Sequence, residues 1–130
     1  MGKKILIVDD EYQIREIIST LLEEHGYTAI QAKNGEEAKN IIKEDPPDMI
    51  ILDVLMPEKS GIKLYRELKT TDSLLKIPVM ICSGIAKRTF MRTHGTPPEG
   101  EGPGIPEPDA YMEKPVKPEL LVRTVKGLIG

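Results

Sequence analysis

Apolar residues recur along the chain with two alternating periods. Short unbroken runs, "KILIV", "MIIL" and "IPVMIC", each end in or just before Asp or Ser. Such runs suit strands buried on both faces of a parallel sheet. "YTAIQA" and "AYMEKP" are shorter candidates of the same kind. Between them lie stretches with helical spacing: Ile14, Ile17, Ile18, Leu21 and Leu22, then "NGEEAKNIIK", then Ile62, Tyr65 and Leu68, and finally Leu121, Val122, Val125 and Leu128. The first is predicted to stop at His25-Gly26, where glycine accepts a left-handed cap. The second starts at Asn34, with Glu37 three residues on in capping-box position. Ser60 is predicted to open the third and Pro118 the last.

One segment breaks the alternation. Nine of the fourteen residues from Gly95 to Pro108 are Gly or Pro, which remove backbone donors or add unfolded-state entropy. A long irregular loop is therefore expected over about 94–110, with His94 in it. Before it, Ala86 to Thr93 has room for two helical turns at most, with Ala86 and Phe90 on one side. Strands alternating with helices at this interval predict a doubly wound, five-stranded parallel sheet with helices on both faces, in one domain spanning 1–130. The fourth helix is expected to be shortened or replaced by the Gly/Pro loop.

Composition narrows the classes of function. With one Phe, four Tyr and no Trp, aromatic stacking on bases or a flavin is disfavoured. A net charge of −3 with scattered cations offers no extended basic face to nucleic acid or an anionic membrane. The lone Cys82 cannot close an intrachain disulfide and is expected to be an inert core thiol. No run is long enough for a membrane span or a signal peptide, and Leu6 stands where a myristoylation signal needs Ser or Thr. A cytoplasmic location is expected.

Chemistry gathers at the carboxyl ends of the predicted strands, where open parallel sheets bind ligands. These ends carry Asp9-Asp10, Asp53, Ser83 and Lys114. Three clustered acids repel unless a cation sits among them, and carboxylate oxygens favour Mg²⁺ or Ca²⁺ over Zn²⁺. A carboxylate can also act as a nucleophile toward phosphorus, with Lys114 and Ser83 placed to hold the transferred group.

The segments "ILIVDDE", "IILDVLMPEKSGI", "PVMICSG" and "YMEKP" together resemble the CheY-like receiver domain of two-component response regulators, in order and nearly in spacing, over residues 3–83 and 110–128. That resemblance implies a flavodoxin-like sheet of order 2-1-3-4-5 and Asp53 as phosphoacceptor. It implies Mg²⁺ held by Asp10, Asp53 and the backbone carbonyl of Leu55, with Asp9 acting mainly through a metal-bound water. Ser83 and Lys114 would contact the phosphoryl group, and Tyr111 would switch rotamer with Ser83. The implied donor is a histidine kinase or phosphotransfer protein docking near Ile14, Pro115 and Val116. Met56-Pro57 and Gly61 would shape the loop after the acceptor, and Gly84 would leave room for the phosphoryl group.

Because the resemblance is weakest between Ser83 and Lys114, the usual readout surface is expected to be altered. A single-domain regulator or relay, monomeric on activation and serving an unknown downstream protein, is expected. Two other readings were open: a phosphorylation-independent interaction module of the same fold, and a haloacid-dehalogenase-like phosphatase. The second needs an Asp two residues after its nucleophile, where Asp53 is followed by Leu55.

Overall fold

The computed structural model describes residues 2–95 and 104–130. Strands β1 (Lys4–Val8), β2 (Thr28–Ala32), β3 (Met49–Leu52), β4 (Val79–Ser83) and β5 (Ala110–Glu113) alternate with helices α1 (Tyr12–Glu24), α2 (Gly35–Glu44), α3 (Ser60–Thr70), α4 (Lys87–His94) and α5 (Pro118–Ile129). All strand pairs are parallel, in the order β2-β1-β3-β4-β5. Because β1 lies between β2 and β3, the strand order reverses there. The carboxyl ends of β1, β3, β4 and β5 then share one edge.

The unbroken apolar runs are buried on both faces. Alternate residues of β1 divide between two cores: Leu6 and Val8 pack on the α2–α3–α4 side, and Ile5 and Ile7 on the α1–α5 side. Cys82 lies in the second core, where burial pushes its thiol up to about 11. It is an inert apolar filler, as its place in a strand suggested.

Local signals hold in detail at some ends and yield at others. Asn34 caps α2 by accepting from the Glu37 N–H at 2.8 Å, while the Glu37 carboxylate reaches the Lys33 N–H, one residue before the cap. Gly26 takes the left-handed conformation after α1. Ser60 begins α3 but makes no cap with its side chain; Glu58 and Lys59 turn the chain through left-handed conformations instead. Ile17, assigned by spacing to the buried stripe of α1, is 52% exposed, because its neighbour Ile18 takes the core position.

The fourth helix is present and eight residues long. His94 belongs to its last turn rather than to the loop, and its ring lies 5.2 Å from that of Phe90. Much of the expected irregular segment, 96–103, lies outside the described residues. Its far end is tied down: Ile105 is buried beside Phe90 and Tyr65 in the first core, and its N–H donates to the His94 carbonyl at 3.1 Å. The Tyr65 hydroxyl donates to the Pro106 carbonyl at 2.6 Å. Asp109 accepts from the Val79 N–H at 2.8 Å and pairs with Lys69 at 3.3 Å. Residues 104–109 thus form a strap beside α3, α4 and the start of β4.

Candidate functional site

Each candidate side chain is delivered by a strand end. Asp9 and Asp53 follow β1 and β3 in register, because the Asp53 N–H donates to the Val8 carbonyl at 2.9 Å. Lys114 follows β5 and is fixed to the end of β4 by donating its N–H to the Ser83 carbonyl at 2.8 Å. The following Lys114–Pro115 peptide is cis.

The two carboxylates are almost fully buried, Asp9 at 3% and Asp53 at 4% exposure. Each uses one oxygen on local backbone: Asp9 Oδ1 accepts from the Glu11 N–H at 2.9 Å, and Asp53 Oδ1 from the Leu55 N–H at 2.8 Å. Their other oxygens converge on one cation. Lys114 Nζ stands 2.9 Å from Asp9 Oδ2 and 3.1 Å from Asp53 Oδ2. A third acid, Glu11, approaches the same ammonium at 3.3 Å. Arg15 donates to the Asp9 carbonyl at 2.7 Å, which fixes the turn after β1.

Electrostatics follow from that crowding. Burial holds the Asp9 carboxyl above its usual value, against the opposing hydrogen bonds from Lys114 and Glu11. Burial also disfavours the charged form of Lys114, but the hydrogen bond to Asp9 and the charges of Asp53 and Asp9 outweigh it and raise the ammonium above its usual value.

Asp9, Asp10, Glu11 and Asp53 each offer a carboxylate oxygen within 4.8 Å of the others. Four acids against one lysine leave a negative site lined by hard oxygen donors, which suits a small divalent cation. Asp10 and Glu11 are exposed and leave one side of the cluster open to solvent. Glu11 was not singled out in advance, although its signal was present as the third acid of "VDDE".

The remaining predicted residues fall around this cluster. Ser83 is fully buried at the end of β4, and its Oγ accepts a long 3.4 Å contact from the Ile85 N–H. Tyr111 donates its hydroxyl to the Ile85 carbonyl at 2.6 Å and packs 5.9 Å from Phe90. Burial is the chief reason its phenol is pushed up to about 12. A side chain at Gly84 would meet nothing within 4 Å, so the approach over Ser83 is open. Gly61 is different: a Cβ there would lie 2.2 Å from the Asp53 carbonyl oxygen. Only glycine lets α3 press against the turn that follows β3. Leu55 is 55% exposed beside Asp53. Ile14 and Val116 are half-buried on the α1–α5 side, and Pro115 is exposed.

Comparison with known proteins decides the family. The response regulator receiver domain family matches residues 5–101. The chain belongs to it. Over 129 residues it is 36% identical to the phosphate regulon transcriptional regulatory protein PhoB of Pseudomonas aeruginosa, covering 99% of this chain and 52% of that protein. It therefore spans about half the length of that relative. It spans nearly all of another, the polar-differentiation response regulator DivK of Brucella anthropi, at 30% identity over 100% of this chain and 98% of that one.

Among solved structures, a signal receiver domain of a histidine kinase from Syntrophus aciditrophicus superposes with a TM-score of 0.79 at 35% identity, covering 98% of this chain and 90% of the other. The chemotaxis protein CheY4 of Vibrio cholerae superposes with a TM-score of 0.78 at 25% identity, over 98% and 99% of the two chains. The receiver domain is the phosphoacceptor family of two-component signalling, and its members bind Mg²⁺ in an acidic pocket of this kind. No described helix is long and apolar enough to cross a membrane.

Proposed function

We propose that this receiver takes a phosphoryl group onto Asp53 from a phosphohistidine of a kinase or phosphotransfer protein. The observation that carries the reading is the convergence of the buried Asp9 and Asp53 carboxylates on the Lys114 ammonium, at 2.9 and 3.1 Å, beside exposed Asp10. In the transfer, an Asp53 carboxylate oxygen forms a bond to phosphorus as the P–N bond breaks. The imidazole leaves with the electron pair and takes up a proton. Lys114 pairs with the growing negative charge on a phosphoryl oxygen, and Ser83 Oγ donates a hydrogen bond to another.

The acidic cluster fits Mg²⁺, which Asp10, Asp53 and the Leu55 carbonyl would hold directly and Asp9 through water. The ion supplies neutralising charge to the phosphoryl oxygens. Asp9 is hydrogen-bonded to Glu11 and Lys114, so it also orients the lysine.

Readout would begin at Ser83. Its movement toward the phosphoryl group would draw on the Ile85 segment, to which the Tyr111 hydroxyl is bonded. Phosphodonor docking is assigned to Ile14, Pro115 and Val116, next to the exposed Ile17 and Tyr12 of α1. α4 is short, and the readout surface that the family resemblance builds from α4, β5 and α5 is altered, so the active form is a monomer whose signal goes to a downstream protein. Light scattering with beryllofluoride and Mg²⁺ should show no dimer.

The site is tested by amide NMR with Mg²⁺ alone and then with beryllofluoride, an analogue of the aspartyl phosphate, in wild type and Asp53→Asn. Shifts at Asp53, Ser83 and Lys114 in wild type alone support the acceptor. Unchanged spectra would assign the fold to phosphorylation-independent interaction.

A further inference from the structure

A groove beside the acidic cluster is lined by side chains to which the phosphoryl transfer assigns no part. It lies between the turn that follows β3 and the helix α4, encloses about 340 Å³, and is lined by Leu55, Ile62, Ile85 and Phe90, with Lys59 and His94 at its polar side. Ile62 and Phe90 are buried and form its depth, whereas Leu55 is largely exposed at its mouth.

The charge around this groove runs against the chain as a whole. Residues 58–95 carry eight Lys and Arg against three Asp and Glu, in a protein of net charge −3. α4 itself has Lys87, Arg88 and Arg92 and no acid. Among the described residues Lys59, Arg66, Arg88 and Arg92 enter no ion pair, whereas Lys69 and Lys87 are met by Asp109 and Glu107 of the strap. Lys59 lines the groove near His94, and Arg66 stands one helical turn along α3 from the lining residue Ile62. Burial most, and then their two charges, disfavour a proton on that imidazole.

An apolar cleft flanked by cations that enter no ion pair among the described residues is complementary to one kind of partner. We propose that this groove docks an acidic peptide segment of another protein, one apolar side chain entering between Leu55 and Phe90 and its flanking carboxylates facing Lys59 and Arg66. Apolar anchors in a pocket with a charged surround are the usual way a small interface gains both affinity and orientation. Nucleic acid fits less well, because Phe90 is buried against Tyr65 and Tyr111 and offers no open face for a base.

The probe is a fluorescein-labelled twelve-residue peptide of Asp and Glu with one central Phe flanked by Leu, titrated into the full chain by fluorescence anisotropy and mapped by amide NMR. Binding should shift Leu55, Ile85, Phe90 and His94 and weaken as salt is raised. Lys59→Glu with Arg66→Glu should lower affinity about tenfold or more, and both positions are on the surface, so folding is checked by an unchanged amide spectrum elsewhere. Replacing the peptide's Phe and Leu by Ser should cost a similar factor, about tenfold.

Equal binding of a peptide with Lys for each acid, or shifts confined to other faces, would overturn the proposal. So would saturable binding of a short oligonucleotide at the same residues, self-association of the chain through them, or binding that appears only when residues 96–103 are excised.

Discussion

Lys114→Met removes the one ammonium that faces both buried carboxylates while keeping most of the side-chain volume. In the wild type that ammonium lies 2.9 Å from Asp9 and 3.1 Å from Asp53, each at most 4% exposed, and is itself 15% exposed. Breaking a buried pair by deleting one partner costs about 3–5 kcal/mol. Here the cluster opens to water on the side of Asp10 and Glu11, which lowers the expected loss to about 2–4 kcal/mol. The backbone bond from Lys114 to Ser83 survives, so β5 should stay paired.

The same substitution makes the acidic cluster one charge more negative and removes a cation that competes for it. Added Mg²⁺ should then stabilise the variant more than the wild type, by mass action on the folded state. Urea unfolding near neutral pH, with EDTA and then with Mg²⁺ in excess, measures both effects. A variant within about 0.5 kcal/mol of wild type in EDTA, the range of an ordinary surface substitution, would refute the claim that Lys114 compensates the two acids. Equal or smaller Mg²⁺ stabilisation in the variant would refute the placement of the cation among them.

Gly61→Ala is expected to destabilise by about 1–3 kcal/mol and to slow phosphorylation of Asp53, since its Cβ would meet the Asp53 carbonyl; thermal unfolding and a phosphorylation time course check both. Tyr65→Phe deletes the hydroxyl donated to Pro106 and should cost about 0.5–1.5 kcal/mol, with faster hydrogen exchange at the Ile105 amide and little change at β1. In EDTA, the stability of Asp9→Asn relative to wild type should rise with pH. The folded Asp9 carboxyl titrates above 3.8, so its ionisation opposes folding once the pH exceeds the unfolded value, and the opposition is complete above the raised folded value. A relative stability independent of pH across the carboxylate range would contradict this. The raised Lys114 value acts oppositely: its contribution is complete below 10.5 and is lost only as pH climbs through the folded value, so wild type should hold its advantage over Lys114→Met to at least that pH in urea unfolding.

What was legible in the sequence was what local pattern dictates. The runs at Ile5–Val8 and Met49–Leu52 had to be buried on both faces, and the alternation of periods fixed the parallel topology. Topology in turn brings Asp9, Asp53, Ser83 and Lys114 to one edge, because each follows a strand that runs the same way. Asn34 was readable as a cap because its partner is only three residues away.

The misses share one cause. Ile17 and Ile18 both satisfy the helical stripe of α1, and only the angle at which the helix meets the sheet decides which is buried. Ile105 sits alone among Gly and Pro, with no period to mark it as core, and its burial depends on Tyr65 and Phe90 from distant segments. His94 ends α4 with Gly95 as its C-cap, one residue later than the spacing of Ala86 and Phe90 marked. Glu11 joined the acidic cluster through Lys114, more than a hundred residues away.

The central claim is that Asp53 accepts a phosphoryl group. The most direct measurement is the intact mass of wild type and Asp53→Asn after incubation with Mg²⁺ and phosphoramidate, whose P–N bond resembles that of phosphohistidine. The wild type should gain one phosphoryl group that is lost in hydroxylamine, and Asp53→Asn should gain none. An unmodified wild type, or an equal gain by Asp53→Asn, would contradict the account.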